Sequence, residues 1–123
     1  MLKGSCLCGA CRFTVDGPVE GASVCHCTQC RKMSGHIWAS AFAPEDRVAI
    51  DGPVAWFDAS TTAKRGFCPT CGSFLFWKAH DEDTMSFALG ALDGPTGLGL
   101  EKHIFTADKG DYYDIADGLP QKP

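Results

Sequence analysis

Three cysteines fall within six residues at Cys25-His26-Cys27-Thr28-Gln29-Cys30, in the order C-x-C-x-x-C. The same spacing occurs nineteen residues earlier, at Cys6-Leu7-Cys8-Gly9-Ala10-Cys11. A third group, Cys68-Pro69-Thr70-Cys71-Gly72, brings the total to eight thiols in 123 residues. The opening from Met1 to Cys6 has no apolar run, so no secretory signal is expected and the chain is read as cytoplasmic. In that compartment thiols persist or bind metal and seldom form structural disulfides. Clustered thiolates suit zinc, whose bonds of ~2.3 Å set the sulfurs of a tetrahedral site about 3.7 Å apart. A redox pair is the rival reading of Cys68 and Cys71, but no βαβ pattern surrounds them.

Other functions are excluded more simply. The net charge of -4 and pI near 5.4 come with only 11 Lys and Arg, scattered along the chain, so no nucleic-acid surface is expected. No apolar stretch reaches the ~20 residues of a membrane span. The length suits one domain, 1–123, with 114–123 expected as a loose tail. Fourteen glycines, 7 prolines and the lack of a long amphipathic helix favour a mainly β chain with, at most, short helical turns.

The pattern places strands at Arg12-Phe13-Thr14-Val15, from about Ala22 into Cys27, and from Ile37 to Phe42. Between the last two, a helical turn covers Thr28 to Ser34 and stops at Gly35, which can take the left-handed conformation. Val48-Ala49-Ile50 and Val54-Ala55-Trp56-Phe57 flank Asp51-Gly52-Pro53 and read as a hairpin. Phe74-Leu75-Phe76-Trp77 reads as a central strand. Met85, Phe87 and Leu89 alternate with slim residues as another. His103-Ile104-Phe105 is a late short strand.

Extended backbone points residues i and i+2 the same way, so Cys25 and Cys27 can chelate together, and a helical turn returns Cys30 to the same metal. Either a fourth cysteine closes that site or it keeps an open position, the mark of a working rather than a structural zinc. The knuckle Cys68/Cys71 needs a second pair, and Cys6/Cys8 suits it, since Gly9 permits close backbone approach. Cys11 is left either to close the second site or to pack as a small hydrophobe.

Taken together, Gly4-Ser5-Cys6-Leu7-Cys8-Gly9, Cys25-His26-Cys27 with Cys30-Arg31 and Ser34-Gly35, and Arg65-Gly66-Phe67-Cys68 with Cys71-Gly72-Ser73 resemble the glutathione-dependent formaldehyde-activating enzyme family, which includes centromere protein V. His103-Ile104-Phe105 and Asp117-Gly118-Leu119-Pro120 resemble its closing segment. The resemblance implies a β-tent of short antiparallel strands with two zinc ions. One would be structural, on Cys6, Cys8, Cys68 and Cys71. The other would be held by Cys25, Cys27 and Cys30 with a non-protein fourth ligand. The implied activity is that of a carbon–sulfur lyase on thiol–aldehyde adducts such as S-hydroxymethylglutathione, with small thiol and aldehyde substrates. Cys11 departs from the aliphatic residue often found there, and the chain is shorter than the glutathione enzyme.

Three thiolates leave such a zinc centre with a net charge of about -1, less suited to activating water than to holding a thiol, which metal binding deprotonates. Arg31 and Lys32 are candidates to pair with a substrate carboxylate, set against ordinary solvated charge. His26 should point away from the metal; His36, His80 and His103 lack ligand partners at useful spacing. Trp38, Phe42 and Trp56 are core or pocket residues. No general acid or base stands out. The competing reading is a zinc-stabilised binding module with its second site closed by Cys11; metal storage or sensing is a third.

Overall fold

The computed structural model describes residues 1–123. Ten strands and one short α-helix follow the order β1 (Leu2–Ser5), β2 (Arg12–Val15), β3 (Glu20–Cys25), α1 (Thr28–Ser34), β4 (Trp38–Pro44), β5 (Val48–Asp51), β6 (Ala55–Asp58), β7 (Ala63–Phe67), β8 (Phe74–Ala79), β9 (Thr84–Ala88) and β10 (Lys102–Ile104). The chain is mainly β, as its composition implies. Three strands form a small sheet in the order β1-β2-β5; seven form a larger one in the order β10-β3-β4-β9-β8-β7-β6. Every pairing is antiparallel except that of β10 with β3.

Period-two alternation gives the large sheet two different faces. Ala22 of β3, Ala41 and Ala43 of β4, Met85 and Phe87 of β9 and Phe76 of β8 turn toward the small sheet and form the main core with Phe13 and Val15 of β2. The Phe13 ring joins the layers. It meets Phe76 edge-on, with centroids 5.0 Å apart at 74°, and Phe87 at 6.0 Å. Gly4 lies directly opposite Phe13, and a Cβ there would fall 2.3 Å from the ring, so only glycine fits beneath it. The other face of the large sheet carries Ser23 and Cys25 of β3 with Trp38, Ser40 and Phe42 of β4, and it borders a cavity.

The helical turn runs from Thr28 to Ser34, and Gly35 ends it at φ 88° with its N–H on the Arg31 carbonyl. The hairpin expected around Asp51-Gly52-Pro53 does not form. β5 pairs with β2 in the small sheet, whereas β6 pairs with β7 in the large one. Gly52 has φ 112°, and a Cβ on it would lie 2.1 Å from the Ala10 carbonyl oxygen. The chain therefore crosses between sheets against the first cysteine loop, and Pro53 offers no N–H to a ladder. The end of the segment 114–123, expected to be loose, is tied down. Lys122 N–H bonds the His103 carbonyl and His103 N–H bonds that of Pro120, each at 2.9 Å. β10 is an edge strand, and these residues satisfy backbone groups it would otherwise expose. No helix is long and apolar enough to cross a membrane.

Because one ring spans the two sheets, Phe13→Ala should lower the unfolding free energy by about 3–5 kcal/mol in a urea titration followed by circular dichroism. A loss under about 1 kcal/mol would show that the sheets do not depend on that contact.

Candidate metal centres and the cavity over the second

Seven of the eight cysteines gather into two groups. Cys6, Cys8, Cys68 and Cys71 have all four sulfurs within 4.8 Å of one another, and so do the three sulfurs of Cys25, Cys27 and Cys30. These are the groupings that the spacing and the resemblance gave for the seven candidate ligands.

The first group is made by two loops of one design. Cys6 N–H bonds the Cys11 carbonyl at 2.9 Å across the loop between β1 and β2, and Cys68 N–H bonds that of Ser73 at 3.0 Å across the loop between β7 and β8. Each loop turns on a left-handed glycine, Gly9 and Gly72, both at φ 81°. The sulfur of Cys8 lies 3.6 Å from that of Cys6 and 3.8 Å from that of Cys68. Those separations are close to the edge of a tetrahedral zinc–thiolate site, about 3.7 Å, so the donor set fits zinc. The Ser73 hydroxyl, 3.2 Å from Cys71 Sγ, brings that thiol down to about 5.

Cys11 belongs to neither group. It is fully buried in the main core beside Cys6 and Cys68, and its N–H donates to Cys6 Sγ at 3.3 Å. It therefore cannot be the fourth ligand of the second group. Burial, then the hydrogen bond and charge of Cys68, push its thiol up to about 12.

The second group sits at a strand-to-helix corner. Cys25 ends β3, Cys27 is the N-cap of α1, and Cys30 lies in the first turn. Cys27 Sγ accepts the Cys30 N–H at 3.3 Å, so a candidate ligand also caps the helix. Within the buried pair, the hydrogen bond from Cys25, aided by Arg65, draws the Cys30 thiol well down. The same bond with Cys30, together with burial, pushes Cys25 up. Cys30 is thus the sulfur favoured as thiolate.

Arg65 was not singled out for a role by its pattern. It projects inward from β7, is 4% exposed, and donates from Nη1 to Cys30 Sγ at 3.4 Å and from Nε to Gln29 Oε1 at 3.1 Å. The residues expected as possible anion partners lie elsewhere: the cavity is lined by Arg65 and Lys102, not by Arg31 or Lys32. The sequence signals for Arg65 are its place in the motif Arg65-Gly66-Phe67-Cys68 and its alternation with Ala63 and Phe67 in a strand leading into Cys68, and neither gives it a role.

The cavity over this group is ≈ 590 Å³ and reaches all three cysteines. Trp38 stands directly opposite Cys25 in the β3–β4 ladder and stacks on Phe74 at 4.2 Å. Trp38 and Phe42 line the cavity; Trp56 packs on the main core and stacks on Phe76.

His26 faces away from the sulfurs, as expected, into a chain of hydrogen bonds that runs from the interior to the surface at Asp117. Its Nδ1 meets the Tyr113 hydroxyl, its Nε2 lies 2.9 Å from His103 Nδ1, and His103 Nε2 lies 2.7 Å from Asp117 Oδ2. One proton arrangement satisfies all three with both rings neutral: Tyr113 O–H donates to His26, His26 to His103, and His103 to Asp117. This chain fastens the closing segment to the backbone between two candidate ligands. Sequence spacing could not pair residues 77 and 87 positions apart.

A match to the family described as glutathione-dependent formaldehyde-activating enzyme covers residues 1–108. The chain belongs to this family. It is 28% identical over 118 residues to an "uncharacterized lyase", C29B12.13, of Schizosaccharomyces pombe, across 94% of this chain and 85% of the yeast protein. It also resembles a crystal structure of a Rhodobacter sphaeroides protein, with a TM-score of 0.62 and 27% identity over 77% of this chain and 91% of that one.

Cys11 is expected to resist a water-soluble alkylating reagent in the folded chain near pH 8, close to the free-thiol pKa of ~8.5, and to react freely once the chain is unfolded. Peptide mass mapping reads both states. Labelling of Cys11 in the folded chain would contradict its placement.

Proposed function

We propose that this chain is a carbon–sulfur lyase that makes and breaks the adduct of a small thiol with an aldehyde, using two zinc ions. Cys6, Cys8, Cys68 and Cys71 would hold a structural ion; Cys25, Cys27 and Cys30 would hold the second with a position left for substrate. The observation that carries this reading is the fate of the remaining cysteine. With Cys11 packed beside the first group, no fourth cysteine reaches the second, and a cavity of ≈ 590 Å³ opens over it. Membership of a family described as glutathione-dependent and formaldehyde-activating, and a relative named a lyase, support the same reaction class.

The zinc of the second group, when bound, would take up the substrate thiol as its thiolate. The chain's own residues do the rest. Cys27 fixes the start of α1, so the corner that presents the three sulfurs is set by backbone as well as by metal. Trp38 and Phe42 make one wall apolar, which limits water around a reactive aldehyde, while Ser23 and Ser40 on the same face are slim enough to leave room for it. Glutathione, or a smaller thiol, is the proposed sulfur substrate and formaldehyde or another small aldehyde its partner.

Native mass spectrometry of the chain should show two zinc ions. Cys27→Ser should lose one of them and the acceleration of thiol–formaldehyde exchange, with the fold retained by circular dichroism. Cys68→Ser should lose the other and unfold the chain, because structural zinc contributes on the order of 10–16 kcal/mol. A Cys27→Ser chain as active as the wild type would end this reading.

A further inference from the structure

Arg65 presents a buried charge with no carboxylate partner. Its guanidinium is ionised at any physiological pH, and it is among the least exposed charged groups in the chain. The three ion pairs in the structure all involve other residues: Lys78 with Glu45, His80 with Asp58, and His103 with Asp117. An unpaired buried cation is unfavourable unless negative charge lies close by. Here that charge is the Cys30 sulfur, with the Phe74 ring face 5.4 Å away as a weaker partner.

A guanidinium carries five N–H donors. Nε is spent on Gln29 and Nη1 on Cys30, whereas Nη2 bonds nothing within the protein. Nη2 is not a sealed atom either, in contrast to the indole Nε1 of Trp38, which is buried without a partner. Since Arg65 lines the cavity, a free donor on a fixed cation is available beside the cysteine group. Gln29 and Cys30 both belong to α1, so the helix that supplies one candidate ligand also sets the tilt of the guanidinium.

The position of that donor selects what it can bind. In a thiol–aldehyde adduct the oxygen lies two bonds from the sulfur, whereas the carboxylates of a peptide thiol lie many bonds away. A substrate sulfur held with Cys25, Cys27 and Cys30 therefore brings the adduct's oxygen, rather than a carboxylate, into the neighbourhood of Cys30 and Arg65. Of the other charged residues lining the cavity, Lys102 begins β10 and Asp108 ends the short helical turn that follows it.

We propose that Arg65 is a catalytic residue that donates from Nη2 to the oxygen on which charge develops as the carbon–sulfur bond forms and breaks. The proposal rests on the lyase reading. In the forward direction the thiol proton has gone to solvent. The sulfur lone pair forms the carbon–sulfur bond, the carbonyl π pair moves onto oxygen, and that oxyanion takes a proton from water. In reverse the hydroxyl proton leaves to solvent, the oxygen pair rebuilds the carbonyl, and sulfur departs with the bonding pair. Arg65 transfers no proton at any stage, because guanidinium is too weak an acid. It holds the charge in place, which is the role of an oxyanion donor.

The test compares two thiols in the metal-loaded chain, glutathione and 2-mercaptoethanol, the second having no carboxylate. Exchange with ¹³C-formaldehyde is followed by NMR, and thiol entry by the sulfur-to-metal absorption of the cobalt-substituted chain. Arg65→Met should keep its metal and bind either thiol within about 3-fold of wild type. It should slow exchange about 100-fold or more with both thiols, the loss expected for one oxyanion donor. Arg65→Lys should recover part of that rate. Gln29→Leu, an exposed change that leaves the fold alone, should slow both thiols about 10-fold by freeing the guanidinium. A loss confined to glutathione would overturn the proposal in favour of a carboxylate anchor. Weaker metal or thiol binding, with the maximal rate at saturation unchanged, would overturn the proposal and reduce Arg65 to a clamp on Cys30. A wild-type chain that neither takes up thiol at the cobalt nor accelerates exchange would instead refute the lyase reading, and this proposal with it.

Discussion

Four sulfurs converge where the two layers meet, and the structural zinc proposed for them would hold those layers in place. Cys6 and Cys8 follow the first strand of the small sheet, Cys68 and Cys71 join two strands of the large one, and an ion on all four would tie one sheet to the other. Bringing loops some sixty residues apart together costs several kcal/mol of chain entropy by the loop-closure relation. A structural zinc site returns on the order of 10–16 kcal/mol, comparable to the whole stability of an ordinary domain. The Phe13 ring packs in the same core cluster as Cys6 and Cys68, so sulfur and aromatic packing reinforce one junction.

With the layers fixed, the opposite face of the large sheet is free to carry the second group. There Cys27 Sγ accepts the Cys30 N–H at the start of α1, and the hydrogen bond from Cys25, aided by the Arg65 guanidinium, favours Cys30 as thiolate. On the far side of the same corner, Tyr113, His26, His103 and Asp117 lock the closing segment against the backbone that presents the sulfurs. The corner is thus braced from both sides, as a site must be if its geometry is to be reproducible.

Features written in local spacing were legible in the sequence. The two cysteine groups, the extent of α1 and its stop at Gly35 all depend on residues a few positions apart. The crossing at Gly52 was not legible, because alternating apolar residues on both sides of a Gly-Pro look the same whether the chain folds back or changes sheet. What decides is contact with Ala10, forty-two residues away. Arg65 was hidden for a related reason: an arginine in a strand is normally solvated, and nothing local says that Cys30 waits across the sheet. His103 looked isolated because its partners, His26 and Asp117, come from opposite ends of the chain. The fold class and the cysteine groupings were therefore readable, while the side chains that surround those sulfurs were not.

The central claim is that the second group offers three protein sulfurs and leaves the remaining position to a substrate. A crystal structure of the zinc-loaded chain soaked with a small thiol tests it most directly. The account predicts an ion on Cys25, Cys27 and Cys30 whose fourth donor is the sulfur of the added thiol, lying in the cavity beside Arg65. A fourth donor from the protein itself, or a thiol bound anywhere else, would contradict it.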